Sequence, residues 1–279
     1  GNHYEGIFLD GKLNGKGTYR SSLGETYIGD WSKGRMNGRG LYIFSNGNRY
    51  DGEWINNSRT GYGIYYYENG DIYEGYFLDG QRDGEGTFRY INGDLYEGDW
   101  SNGQKDGEGH YFYANGDNYL GDWKEDKQNG QGTFSYSSGK KYKGTFFDNM
   151  IEGQGTLKYT DGRMYKGNWS KGKMEGEGSF SDFEGNKYQG AWKNNFFHGY
   201  GEYYFGNGDL YEGDWEDNKY NGKGTFISKT GEKYIGLWVN GMRDGQGVLL
   251  NNNSEKYQGL WKTNQRNGHG MQIYGNGDK

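Results

Sequence analysis

Cysteine and proline are both absent from this chain of 279 residues. Without cysteine there are no disulfides, no thiolate metal sites and no cysteine nucleophile. Aliphatic side chains are scarce as well. Alanine and valine occur twice each, and Leu, Ile, Val and Phe together number only 40. That is a smaller share than the roughly 20% below which disorder becomes the default expectation. No window approaches the ~18 apolar residues of a membrane-spanning helix, and no signal-peptide-like stretch opens the sequence. Helical domains are nearly excluded, because 56 glycines spread over 279 residues would interrupt every helix. What is abundant is aromatic: 29 Tyr, 14 Phe and 9 Trp make 19% of the chain, so any core is built from rings.

The rings and glycines are periodic. Tyr stands at 4, 27, 50, 73, 96, 119, 142, 165, 188, 211, 234 and 257, always 23 residues apart. With each Tyr as position 1 of a unit, position 3 is Gly throughout, and position 5 is Trp or Phe throughout. Positions 12 and 14 are Gly in every unit, and position 21 is Gly in all but one, where Ser254 stands. Position 8 holds only Gly, Asn and Asp, the residues that tolerate positive φ. Self-similarity at such a fixed period marks a repeat architecture. The units run from 4 to 279 without an insertion, and residues 1–3 match the tail of a preceding unit. One continuous array is expected, as a piece of a longer one.

Strand parity gives each unit its form. Positions 1, 3 and 5 share one face of a strand, and positions 12, 14, 16 and 18 share one face of a second. Turn signals separate the two halves, and "NG"-type tracts around position 21 lead into the next unit. The expectation is an all-β, elongated, single-layer antiparallel meander of about twelve stacked hairpins, open-ended and grooved. Within a hairpin, Trp31 is placed opposite Gly40 and Tyr42 over Gly29, so that rings lie on bare backbone. An odd-length loop with a bulge between units keeps successive Tyr residues on one face. The other face is polar.

Segments such as 96–117 (YEGDWSNGQKDGEGHYFYANGD) and 211–226 (YEGDWEDNKYNGKGTF) resemble the MORN (membrane occupation and recognition nexus) repeat. The resemblance covers residues 4–279. It implies a hairpin per repeat, a grooved sheet, no cofactor and no catalytic activity of the repeats themselves. Proteins that carry such repeats include radial-spoke heads of cilia, protist cortical scaffolds and junctophilins. The repeats also occur as appendages of lipid kinases and of a SET-domain methyltransferase.

Catalytic signals are missing from the residues themselves. There is no phosphate-loop motif, and His3, His110, His198 and His269 fall at unrelated unit positions, so no metal site is expected. The net charge of −6 argues against nucleic acid and against anionic membranes. Local charge is uneven. Residues 68–122 carry 13 acidic and 3 basic side chains, whereas 140–173 carry 8 basic and 3 acidic. Two candidate partner surfaces follow. One is a groove along Trp31, Trp54, Trp100, Trp123, Trp169, Trp192, Trp215, Trp238 and Trp261, since a single layer has no second sheet to cover these rings. The other is a basic docking patch of Lys140, Lys141, Lys143, Lys158, Arg163, Lys166, Lys171 and Lys173. The function expected is a non-enzymatic, intracellular scaffold for other proteins in a cytoskeletal assembly, the ciliary axoneme first and the cell cortex second. Self-association through terminal repeats is an added expectation. The competing readings are a membrane-tethering or phospholipid-binding module, a cell-wall-binding aromatic repeat, and a regulatory appendage of an enzyme domain.

Overall fold

The computed structural model describes residues 1–278; Lys279, the last residue of the expected array, lies outside them. All regular structure among the described residues is strand, in 24 segments. The first five are β1 (His3–Leu9), β2 (Lys12–Arg20), β3 (Thr26–Ser32), β4 (Arg35–Ile43) and β5 (Arg49–Ile55), and the same alternation of seven- and nine-residue strands continues to Gln265–Ile273. The chain forms two compact units. The first comprises Gly1–Ser137 with Phe147–Asn149, and the second Ser138–Phe146 with Met150 onward. Inside each, successive strands pair antiparallel as an open meander.

Two different turns build the meander. Within a repeat the strands are joined by two residues that both have positive φ, such as Lys33 (50°) with Gly34 (80°), or Asn56 (50°) with Asn57 (71°). This is the turn whose twist matches that of a hairpin. Between repeats the connection is odd-numbered, as expected. The Phe44 N–H donates to the Asn48 carbonyl at 2.9 Å, the Gly47 N–H donates back to Phe44 at 3.0 Å, and Gly47 has φ 88°. Tyr42 and Tyr50 therefore stand directly opposite each other on one face.

The register inside each repeat differs from the expectation by two residues. Gly29 pairs with Gly40 and Tyr27 with Tyr42, while Trp31 pairs with Met36. Between Gly29 and Trp31 the partner strand carries two extra residues, a bulge that turns at Gly38 with φ 107°. A carboxylate at position 4 caps this bulge. Asp30 accepts the Arg39 N–H at 3.0 Å, and Asp99, Asp122 and Asp214 repeat the bond to Glu108, Gln131 and Lys223. The Lys16 ammonium, 2.7 Å from Asp30, holds that carboxyl below the usual range, with the Arg39 N–H adding to the effect.

The corrected register puts glycine beside glycine. Gly40 pairs with Gly29 on one side and with Gly52 on the other, and this row of bare backbone crosses each unit. Tyr, not Trp, lies on it. A Cβ at Gly40 would stand 2.3 Å from the Tyr27 hydroxyl oxygen, and one at Gly29 would stand 2.5 Å from the Gly40 Cα. The Tyr27 hydroxyl donates to the Asp30 carbonyl at 2.9 Å, and the Trp54 indole N–H donates to the Gly40 carbonyl of the preceding repeat at 3.0 Å. Tyr27 stands edge-on between two Trp rings, meeting Trp31 at 5.1 Å and 89° and Trp54 at 5.5 Å and 82°. Where position 5 is Phe, as at Phe77 beside Tyr50 and Tyr73, the Phe ring takes the Trp place. Edge-to-face contacts of this kind add to the area they bury. Ten of the position-1 tyrosines, Tyr27 to Tyr234, are fully buried on a sheet that has no second layer. Burial pushes the phenols of Tyr42, Tyr90 and Tyr234 up to about 12.

Candidate functional site

The aromatic face is closed by a residue that the sequence pattern did not single out. Position 10 is occupied in chain order by Leu13, Met36, Arg59, Arg82, Lys105, Gln128, Ile151, Met174, Phe197, Tyr220, Arg243 and Arg266. Where the pairing is described, this side chain stands opposite the position-5 ring of its own repeat and leans toward the next. The Arg82 guanidinium lies 4.0 Å from the Trp100 ring centre and 5.2 Å from that of Phe88, and it donates to the Gly103 carbonyl. Arg59 lies among Phe44, Tyr50, Tyr65 and Phe77 and donates to the Gly80 carbonyl at 2.6 Å. Lys105 lies 4.7 Å from Trp123 and 5.0 Å from Tyr111. Burial pushes its ammonium below the ordinary value, although Asp126 and Asp94 oppose this. Phe197 and Tyr220 fill their slots differently, stacked flat on Tyr188 at 3.8 Å and on Tyr211 at 3.7 Å.

This packing corrects the expected tryptophan groove. Trp31, Trp54, Trp100, Trp123, Trp169, Trp192, Trp215, Trp238 and Trp261 are all between 3% and 8% exposed. Each is covered by neighbouring Tyr rings and position-10 side chains, so a partner reaches what surrounds them and not a continuous stripe of indoles. Shallow hollows open instead on the polar face, with the glycine row as floor. One is lined by Lys16, Ile28, Arg39, Leu41 and Asp51, and its charges are mixed. A second, lined by Glu74, Glu85, Glu97, Asp99 and Glu108, is acidic, with Tyr62 and Tyr76 at one end. A third, in the second unit, is more apolar, with Tyr200, Lys223, Ile235, Leu237 and Gln246. Cross-strand partners set these characters. Lys16 faces Asp30 and Arg39 faces Glu53, whereas Glu85 faces Asp99 and Glu108 faces Asp122. Like charges directly opposite on a sheet are destabilising.

The eight residues of the basic patch are not brought to one plane. Lys141, Lys143, Lys158 and Lys166 share the polar face, at strand positions that alternate with the buried rings. Lys140 lies in a loop between repeats. Arg163 is ion-paired with Asp161 at 2.8 Å in another such loop. Lys171 lies in a two-residue turn, and Lys173 follows that turn and donates to Asn194 at 3.1 Å. Among the described residues no group of three His, Cys, Asp or Glu is placed to hold a metal ion, and no helix is long and apolar enough to cross a membrane.

No curated protein matches the chain. Among solved structures it is similar to the TCP10 domain of CPAP from Danio rerio, determined in complex with a peptide of STIL. That match has 10% identity and a TM-score of 0.32, and covers 84% of this chain and 93% of that one. The TCP10c domain of Drosophila melanogaster Sas-4 matches at 15% identity and a TM-score of 0.18, over 72% of this chain and 93% of that one. A streptogramin B lyase matches at 14% identity and a TM-score of 0.15, over 99% and 85%. Likenesses this distant carry no functional argument. The family model for the MORN repeat, by contrast, matches twelve successive segments from 4–22 and 27–49 to 234–254 and 257–279. The chain belongs to the MORN repeat family.

Proposed function

We propose that this protein is a non-enzymatic, intracellular scaffold that presents an extended β surface to other proteins in a cytoskeletal assembly, a ciliary axoneme of the radial-spoke kind first and a cell cortex second. One observation carries this reading. The same backbone frame recurs in every repeat, while the polar face it displays changes from mixed charge to acidic to apolar. Residues that hold the frame are kept, and residues that face a partner vary. Such a surface suits several partners held in order along one array. The scattering of the eight basic side chains favours protein partners over an anionic bilayer, because each Lys or Arg contributes about 1 kcal/mol only when it lies near the lipid surface.

The experiment is a partition between two phases. The chain is expected to remain with the detergent-insoluble cytoskeletal fraction of cells that express it. It is expected to show no binding to phosphoinositide-containing vesicles at about 0.15 M salt, where the screening length is about 8 Å. Tight vesicle co-sedimentation, lost in the combined variant Lys141→Glu, Lys143→Glu, Lys158→Glu and Lys166→Glu, would replace the scaffold with a membrane tether.

A further inference from the structure

In the second unit the aromatic face opens into a hollow of roughly 320 Å³ lined by Phe197, Tyr203, Phe205, Trp215 and Tyr220, with Asn218, Lys219 and Gly241 at its rim. Its counterpart five repeats earlier is occupied by Arg82. Subtracting 115 from each number turns Phe197 into Arg82, Tyr203 into Phe88, Trp215 into Trp100 and Tyr220 into Lys105. There the space is filled from within the chain. The Arg82 guanidinium lies over Trp100 and Phe88, and the Lys105 ammonium extends toward Tyr111 and Trp123. Phe197 and Tyr220 stack flat on their own tyrosines and bring no cation to the space. The ring walls are kept and the cation is missing.

We propose that this hollow takes an arginine side chain presented by a partner protein. The chain's own choices support arginine, since Arg59, Arg82, Arg243 and Arg266 all place guanidinium groups within 6 Å of ring centres in equivalent slots. A hydrogen-bond acceptor is provided for as well. Arg59 and Arg82 donate to the carbonyls of Gly80 and Gly103, and Asn218, which lines the hollow, stands where Gly103 stands in the Arg82 slot. Asp209 is the repeat equivalent of Asp94, which favours the charged form of Lys105, and its field reaches Tyr220. Lys219 at the rim works against any incoming cation, and a planar guanidinium offsets this by stacking on the rings as a compact ammonium cannot.

The inference deepens the scaffold reading by naming what one partner must carry, and its test does not depend on finding that partner. The whole chain is titrated with a blocked Gly-Gly-Arg-Gly-Gly peptide and with its Lys and norleucine analogues, while the indole N–H resonance of Trp215 is followed by NMR. Saturable binding is expected, about fivefold tighter for Arg than for norleucine, with Lys between them. Phe197→Arg, which supplies the cation from within, should abolish binding and leave the β circular dichroism intact. If that variant does not fold, Tyr220→Arg serves the same purpose, and Phe205→Leu should weaken binding by removing a wall. Equal affinity for the norleucine peptide, absence of saturation, or undiminished binding to a folded Phe197→Arg chain would each overturn the proposal. Arginine binding without retention in the cytoskeletal fraction would keep the site and defeat the scaffold.

Discussion

The repeats that carry Arg59, Arg82 and Lys105 and those that carry Phe197 and Tyr220 fold one backbone around opposite fillers. In the first group a long cationic stem crosses the Tyr–Trp frame and ends on a ring face or a carbonyl of the next repeat. In the second a ring lies parallel to Tyr188 or Tyr211, 3.7–3.8 Å away, and the next repeat is reached only by ring edges. The lesson is that the frame asks for volume and flat contact at position 10, not for a given polarity. An arginine meets that request because its stem is apolar and its head is planar.

The strongest test addresses what both groups share. The position-1 phenols are protonated in the fold: burial raises them above the usual value near 10, Tyr234 to about 12, and it raises Tyr42 and Tyr90, elsewhere in the repeat, to about 12 as well. A raised phenol stabilises the fold fully below pH ~10, and that stability is lost as pH climbs through the folded value. Alkaline unfolding between about pH 10 and 12, with tyrosinate absorbance rising in step with loss of β signal, is therefore expected. Ionisation without unfolding would count against the buried frame. Next, Gly86→Ala and Gly201→Ala should cost the same, about 3 kcal/mol each in urea titration, because a Cβ at either meets Tyr73 or Tyr188 at 2.3–2.4 Å. Unequal costs would show that the two groups do not share one frame.

The fillers come after that. Phe197→Ala should cost about 2 kcal/mol, less than for a fully buried ring because Phe197 is only half-buried. Arg82→Phe should cost under about 1 kcal/mol if flat contact is all that the slot requires. A cost near that of Phe197→Ala would mean that the bond to Gly103 dominates instead. The smallest effect belongs to Lys105→Met. Burial disfavours the ammonium, so the penalty is present below the folded pKa of Lys105 and vanishes as pH passes the unfolded value near 10.5. The Met variant, which copies Met36 and Met174, should match or slightly exceed the parent in stability at neutral pH and lose that margin toward pH ~10.

The sequence made the period, the hairpins, the two faces and the odd loop between repeats legible, because glycine and tyrosine spacing encodes all of them. The register was not. Gly38 and its equivalents turn a bulge that displaces Gly40 from Trp31 to Gly29, and Gly38 itself comes to stand opposite Trp54 of the next repeat. The fate of the tryptophans followed from the same error. With Tyr27 over the glycine pair, Trp31 is left to be covered by its neighbours, and the stripe closes. Position 10 was invisible for a different reason. Leucine, isoleucine, methionine, arginine, lysine, glutamine, phenylalanine and tyrosine share no one chemistry, and only the bulged backbone shows that they enter one slot. Asn57 was likewise read as a turn residue, but its side-chain oxygen also accepts the Met36 N–H of the preceding repeat at 2.8 Å.

The bonds of the frame have a reach that bears on how such a chain can change length. The tyrosine hydroxyl closes on a carbonyl three residues away, and the indole N–H of Trp54 closes on a carbonyl 14 residues back, in the repeat before. The arginines reach 21 residues forward, in the repeat after. Within either unit, each of these couplings therefore ends in its own repeat or an adjacent one. Excising or duplicating 23 residues there leaves every junction with its glycine row, its position-1 tyrosine and a position-5 ring in register. Removing any other number aligns Tyr with the wrong glycine. Unequal recombination within such a gene would be filtered by the fold itself, which accepts whole repeats and rejects fractions, so the length of the array can drift in fixed steps while its construction stays constant.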